Sequence, residues 1–193
     1  MRRIWTRYAF GVAALALVLA SGSASAWDCD FLTGGGFIIR DSGGAKANFG
    51  VGGGCKDGSP TWGHLEYIDH GTGLNDHWTS ITAYLEVDSS ASPKGRPTGT
   101  RRVCGTARTN LFGDVDFVVQ ARDAGEPGVN DQFDIRLRNA LGVIVYDTTT
   151  QCFPHYLGSS APCAPGTNGG GNIQLHKPNP SNTGFFGGSC PAL

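Results

Sequence analysis

The stretch 115–137 constrains the fold more than any other. Val115, Phe117, Val119 and Ala121 alternate with Asp116, Gln120 and Arg122. Beyond a polar loop, Phe133, Ile135 and Leu137 alternate with Asp134, Arg136 and Arg138. A period of two puts every second side chain on one face of a pleated strand. Two such arms, broken once by Gly125-Glu126-Pro127-Gly128, read as antiparallel strands joined by a long hairpin loop. A second clean alternation sets Ala45, Ala47, Phe49 and Val51 against Lys46, Asn48 and Gly50. Shorter runs at 37–40, 62–68, 77–87, 103–109, 141–146 and 171–177 are further strands. In the run 77–87, Ile81, Ala83, Leu85 and Val87 share one predicted face, and Trp78, Ser80, Thr82, Tyr84 and Glu86 the other. Turn chemistry separates the runs, as in Lys56-Asp57-Gly58-Ser59-Pro60 and Asp69-His70-Gly71-Thr72-Gly73. The 30 glycines among 193 residues far exceed the usual share of roughly 7 per cent, as many tight turns require. The expected class is all-β, an antiparallel β-sandwich of about nine short strands, with a closed β-barrel as the alternative.

The amino terminus carries Arg2, Arg3 and Arg7, then an apolar run at 12–20 and the small-residue end Ala24-Ser25-Ala26. That order is a secretory signal peptide, 1–26, cut after Ala26. The run is about half of the roughly 20 residues a spanning helix needs, so no transmembrane anchor is expected after cleavage. No cysteine directly follows the cut, which speaks against a lipidated terminus, and Arg2-Arg3 lacks the flanking residues of a twin-arginine signal. Without the three arginines the remaining chain has 12 basic and 16 acidic residues, a net charge of −4. Such a balance argues against nucleic acid as a partner. The expected organisation is one β domain at 27–177, a stapled insertion around 148–170, and a tail at 178–193 rich in Pro, Gly and Asn.

All six cysteines, Cys29, Cys55, Cys104, Cys152, Cys163 and Cys190, lie in the exported part. An even count in an oxidising compartment implies disulfides, with 15 possible connectivities. The simplest pairing closes Cys152 with Cys163 inside their own loop and ties the termini through Cys29 and Cys190. Cys55 is then left for Cys104. No C-x-x-C pair suggests a metal knuckle.

Four segments, GAKANF at 44–49, KDGSPTWGHLEYIDHGTG at 56–73, DAGEPGVNDQF at 123–133 and GGNIQLHKP at 170–178, resemble the post-COAP domain family of secreted bacterial proteins. The resemblance implies a secreted β domain found in cell-surface contexts, with an uncharacterised molecular function and no catalytic residues. The cysteine pairing and the insertion holding Cys152 and Cys163 depart from that pattern.

Three groups of residues are candidate sites. Asp123, Glu126, Asn130 and Asp131, with Asp134 just beyond, crowd oxygen donors into one loop, a composition suited to Ca²⁺. The competing reading is that these residues bond their own backbone. His64, His70 and His77, two of them beside Asp69 and Asp76, suit a zinc ion with an open water position. Trp78, Thr82, Tyr84 and Glu86 combine rings with hydroxyls and a carboxylate, a set that can hold an extracellular glycan or protein. No G-x-S-x-G motif occurs, and Glu66, Glu86 and Glu126, the only glutamates, suggest no shared pair for glycoside hydrolysis. The expectation is a secreted, non-catalytic binding or cell-surface interaction module, extracellular, on the cell surface or in the periplasm. A metal-dependent secreted hydrolase built on the histidines is the alternative.

Overall fold

The computed structural model describes residues 29–56, 58–91, 95–166, 169–178 and 184–193. The leader expected at 1–26 lies outside them. Nine strands follow in chain order: β1 (Phe31–Ile39), β2 (Lys46–Lys56), β3 (Ser59–Asp69), β4 (Leu74–Ala91), β5 (Pro97–Thr109), β6 (Gly113–Asp123), β7 (Gln132–Asn139), β8 (Ile144–Asp147) and β9 (Gly171–His176). All are antiparallel to their neighbours, and they form a single sheet in the order β8-β7-β6-β5-β4-β3-β2-β1-β9. The all-β, antiparallel expectation holds. Within it, one meander has curled into a half-barrel, with its main core on the concave side.

The hairpin at 115–137 forms as its alternation requires. Val115, Phe117, Val119 and Ala121 of β6 and Phe133, Ile135 and Leu137 of β7 are all buried in one core. Opposite them, Leu32, Phe49, Val51, Leu65, Tyr67, Ile173 and Leu175 enter the same core, and Phe49 stacks on Phe133 with ring centroids 3.8 Å apart.

Several strands differ in extent from the sequence expectation, β5 beginning at Pro97 and β8 at Ile144, and for two of them the reason is identifiable. The first begins at Phe31 rather than residue 37, because Gly34-Gly35-Gly36 lies within it, paired to β2 and β9. Glycine is needed for close approach there: a Cβ on Gly34 would sit 2.7 Å from Ile173 Cγ1, and one on Gly36 would sit 2.3 Å from the Gly170 carbonyl oxygen. In β4, Thr79, Thr82 and Val87 are extra residues against β5. Each such bulge shifts the alternation by one. Trp78, Ile81, Tyr84 and Glu86 therefore share the concave side, opposite Ala107, Gly105, Val103 and Arg101. Ala83 turns to the convex face, where it packs with Cys104 and Val118.

Three disulfides close. Cys152 pairs with Cys163 as expected. The other two expected pairs are corrected, to Cys29–Cys55 and Cys104–Cys190. Antiparallel pairing of β1 with β2 sets Phe31 opposite Gly54, which brings Cys29 to Cys55. Cys55 belongs to the concave core and Cys104 to the convex cluster, so these two cannot meet. Cys190 instead fixes the tail to the convex face. On its way there the tail enters where β3 and β4 part. Ladder pairing between those strands is confined to Glu66–Asp69 and Leu74–His77, and farther along Tyr84 exchanges two 3.0 Å backbone hydrogen bonds with Gly187.

The β1-β9 end of the sheet faces the β6-β7 hairpin across a seam closed without a ladder between strands. The β9 edge offers the Ile173 and Leu175 N–H groups, which donate to Asp131 Oδ2 at 2.7 Å and Asp123 Oδ2 at 2.8 Å. The other oxygens of these carboxylates accept from Ala124 N at 2.8 Å and Gly125 N at 2.7 Å. Farther along, the stapled segment fills the gap. Phe133 N donates to the His155 carbonyl, Leu157 N to that of Asp131, and Gly158 N to that of Phe37. The His155 side chain spans the same gap, its Nδ1 2.6 Å from Asp134 Oδ1 and its Nε2 3.1 Å from the Arg40 carbonyl oxygen.

Burial, reinforced by Asp123 and Glu126, pushes Asp131 up to about 6 against the pull of its two N–H donors. Removing its side chain strands two N–H groups, at about 1–3 kcal/mol each. Asp131→Ala is expected to lower unfolding stability by about 3 kcal/mol, read as the midpoint of a denaturant titration at neutral pH. A change within error would remove the carboxylate from the seam.

Candidate functional site

The expected sites fare differently once folded. The acidic loop does come together, but its two aspartates hold the seam: all four oxygens of Asp123 and Asp131 accept backbone N–H groups. Glu126 and Asn130 are exposed, and Glu126 accepts from Asn172 Nδ2 at 3.5 Å. The backbone-bonding reading accounts for the residues that crowd there.

The three histidines are dispersed. His64 lies in β3, and His70 just past it; six residues of extended chain span roughly 20 Å, too far to share an ion. His70 Nε2 is 2.9 Å from Asn48 Oδ1, and His77 pairs with Glu66 across the strands. The sequence neighbours Asp76 and His77 point to opposite faces, one buried and one exposed. The expected zinc set is thereby corrected. Among the described residues, the group close enough to share an ion is Cys152, His155 and Cys163, and its two sulfurs are already joined. The buried His155–Asp134 pair resembles an acid–base dyad, but Nε2 is turned onto the Arg40 carbonyl, which leaves no ring nitrogen facing outward.

The bulges split the fourth-strand group. Trp78 packs against the core, Thr82 is exposed on the convex face, and Tyr84 is fully buried. Thr82 lines a smaller hollow on the convex side with Cys104, Val118 and Pro191, whereas Glu86 reaches a cleft of about 430 Å³ at the end of the half-barrel where the tail enters.

The cleft is built on an ion pair. Arg101 and Asp30, both nearly inaccessible, meet through Nε–Oδ1 at 3.1 Å and Nη2–Oδ2 at 2.6 Å. The remaining guanidinium N–H groups go to the carbonyls of Asp88 and Thr100 and to Ser89 Oγ. All five donors of the fork are thus engaged. Burial opposes the charge on Arg101, but hydrogen bonding and attraction from Asp30 outweigh it and hold its pKa above the ordinary value. The Tyr84 hydroxyl donates to Asp30 Oδ1 at 2.8 Å. Burial and the adjacent carboxylate push that phenol well above its usual pKa, so it remains a donor. Phe186 from the tail stacks on Tyr84 at 5.5 Å, with the Arg101 guanidinium 5.4 Å from its ring centre. Above this floor, Glu86 Oε2 accepts from Ser89 Oγ at 2.7 Å, and Lys177 and Pro178 from the chain beyond β9 form part of the lining.

Asp30, Arg101 and Phe186 do not stand out in the sequence as site residues. A signal for Arg101 is nonetheless present: it keeps step with Val103, Gly105 and Ala107, so a charge falls in register with core positions. Asp76 keeps step with Leu74 in the same way. Its carboxylate is buried, with neither oxygen hydrogen-bonded among the described residues. Desolvation and the nearby Glu66 raise its pKa to about 7, against the attraction of His77.

No family model, curated protein or solved structure matches the chain. Among the described residues no helix is long and apolar enough to cross a membrane.

Because Asp76 binds its proton more tightly in the folded state, its contribution is complete below about pH 4. It is lost as pH rises through about 7. A rise from the ordinary carboxylate value of 3.8 to about 7 corresponds to about 4 kcal/mol. The stability difference between Asp76→Asn and the native chain should change by up to about that amount between pH 4 and pH 8, in the direction that favours the variant at high pH. Parallel stability–pH curves would show that Asp76 is solvated or paired.

Proposed function

We propose that this chain is an exported, non-catalytic binding module whose ligand enters the cleft above the Arg101–Asp30 pair. The carrying observation is that cleft: a concave site of a size suited to small ligands, with a rigid, internally satisfied floor and an aromatic ring fixed inside it. Three closed disulfides support an oxidising compartment, and the basic-then-apolar leader with Ala24-Ser25-Ala26 supports export. The resemblance to the post-COAP domain points to the same setting, on or near a cell surface. The chemistry of the cleft favours holding over turnover. Its arginine is fully occupied, and its phenol is held as a donor to Asp30.

Cosedimentation of the purified protein with peptidoglycan sacculi and with insoluble extracellular polysaccharide tests the reading. Retention on one of these materials is expected, weakened about tenfold, or ~1.4 kcal/mol, in Phe186→Ala and in Glu86→Gln and unchanged in convex-face Thr82→Ala. Mass spectrometry of the exported protein should place its first residue at Trp27. Hydrolysis of peptide, ester or glycoside substrates by the wild type, without retention on either material, would replace the proposal with an enzymatic one.

A further inference from the structure

Resting on the reading of the cleft as the ligand site, we infer that its ligand is an uncharged carbohydrate, an oligosaccharide bearing neither carboxylate nor sulfate. Charge makes the first part of the argument. Among the described residues, the ionisable groups that line the cleft are Asp30, Glu86, Arg101 and Lys177, two of each sign. The guanidinium, the group best suited to clamping a carboxylate or phosphate in a fork, has no donor left to offer.

The groups that remain match a polyol. Glu86 keeps one oxygen, Oε1, outside the contact with Ser89 and can accept from a sugar hydroxyl. The Lys177 ammonium makes no hydrogen bond or ion pair with a described residue and can donate to another. Phe186 and the rings of Pro97 and Pro178 line the same cleft, apolar surfaces on which the C–H face of a pyranose can rest. Fixed rings beside an acceptor and a donor give orientation as well as contact area. At about 430 Å³ the space lies within the roughly 300–1,000 Å³ range of small-molecule sites, enough for a short oligosaccharide rather than a folded partner.

Isothermal titration with neutral hexasaccharides of β-1,4-linked glucose and of β-1,4-linked N-acetylglucosamine, beside a uronic-acid hexamer, tests the class. At least one neutral probe should bind, with an affinity that high salt leaves unchanged because no charge is being screened. Glu86→Gln, which keeps the side-chain volume, should weaken that binding about tenfold, or ~1.4 kcal/mol, and amide shifts in the wild type should cluster at residues 86–91 and 184–187. Binding confined to the uronic-acid hexamer and abolished by salt would overturn the inference while leaving the cleft as the site. The inference fails equally if no neutral probe binds a wild-type protein that still cosediments with polysaccharide. Neutral-probe binding indifferent to both Glu86→Gln and Phe186→Ala would overturn the cleft reading itself.

Discussion

Closure of the half-barrel depends on carboxylates bonding to the edge of a strand. A curled sheet that stops short of a complete ladder leaves a row of N–H and C=O groups facing the gap, and such an edge is costly if buried unpaired and hazardous if exposed. Here Asp123 and Asp131 stand where a tenth strand would be, each bonding one β9 amide and one amide of its own loop. The stapled segment continues the closure with main-chain bonds to both sides, and His155 carries it on to Arg40. A charged acceptor makes a stronger hydrogen bond than a neutral carbonyl, so few contacts hold a long seam.

Once the seam is closed, the opposite side of the sheet is free to open. Beyond Trp78, β4 leaves β3, and the tail passes through the opening, bonded to Tyr84 and anchored outside by Cys190. Phe186 is delivered to the concave side by this route. The cleft thus depends on two departures from a regular meander: the bulges that turn Tyr84 and Glu86 inward, and the gap that admits the tail. Arg101 binds them together, since its donors reach Asp30 before β1, Asp88 and Ser89 on β4, and Thr100 beside it on β5.

Alternation alone made much of this architecture legible. The central hairpin, the second and third strands and the last one lie where apolar and polar residues take turns, and Cys152 with Cys163 closes the loop in which both occur. What stayed hidden shares a physical cause: an event that changes parity or proximity without marking the local pattern. Three bulges in β4 reassign faces, so Thr82 and Tyr84 part company although they are two residues apart. The glycines of β1 resemble a turn until β9 is seen pressing against them. Whether an aspartate grips a cation or an amide depends on which strand edge the fold brings to it. For Asp123 and Asp131 that edge is β9, about fifty residues farther along the chain. Arg101 and Asp76, charges in step with core residues, are the plainest marks that the sequence carries of a polar group turned inward.

The seam is open to direct observation by amide hydrogen exchange in the native protein at neutral pH. If buried carboxylates cap the free edge of β9, the Ile173 and Leu175 amides will be protected to the same degree as those of β5 and β6 at the centre of the sheet. Exchange of both within the dead time, while β5 and β6 stay protected, would mean that the edge is open to water and that the half-barrel is held by something other than these carboxylates.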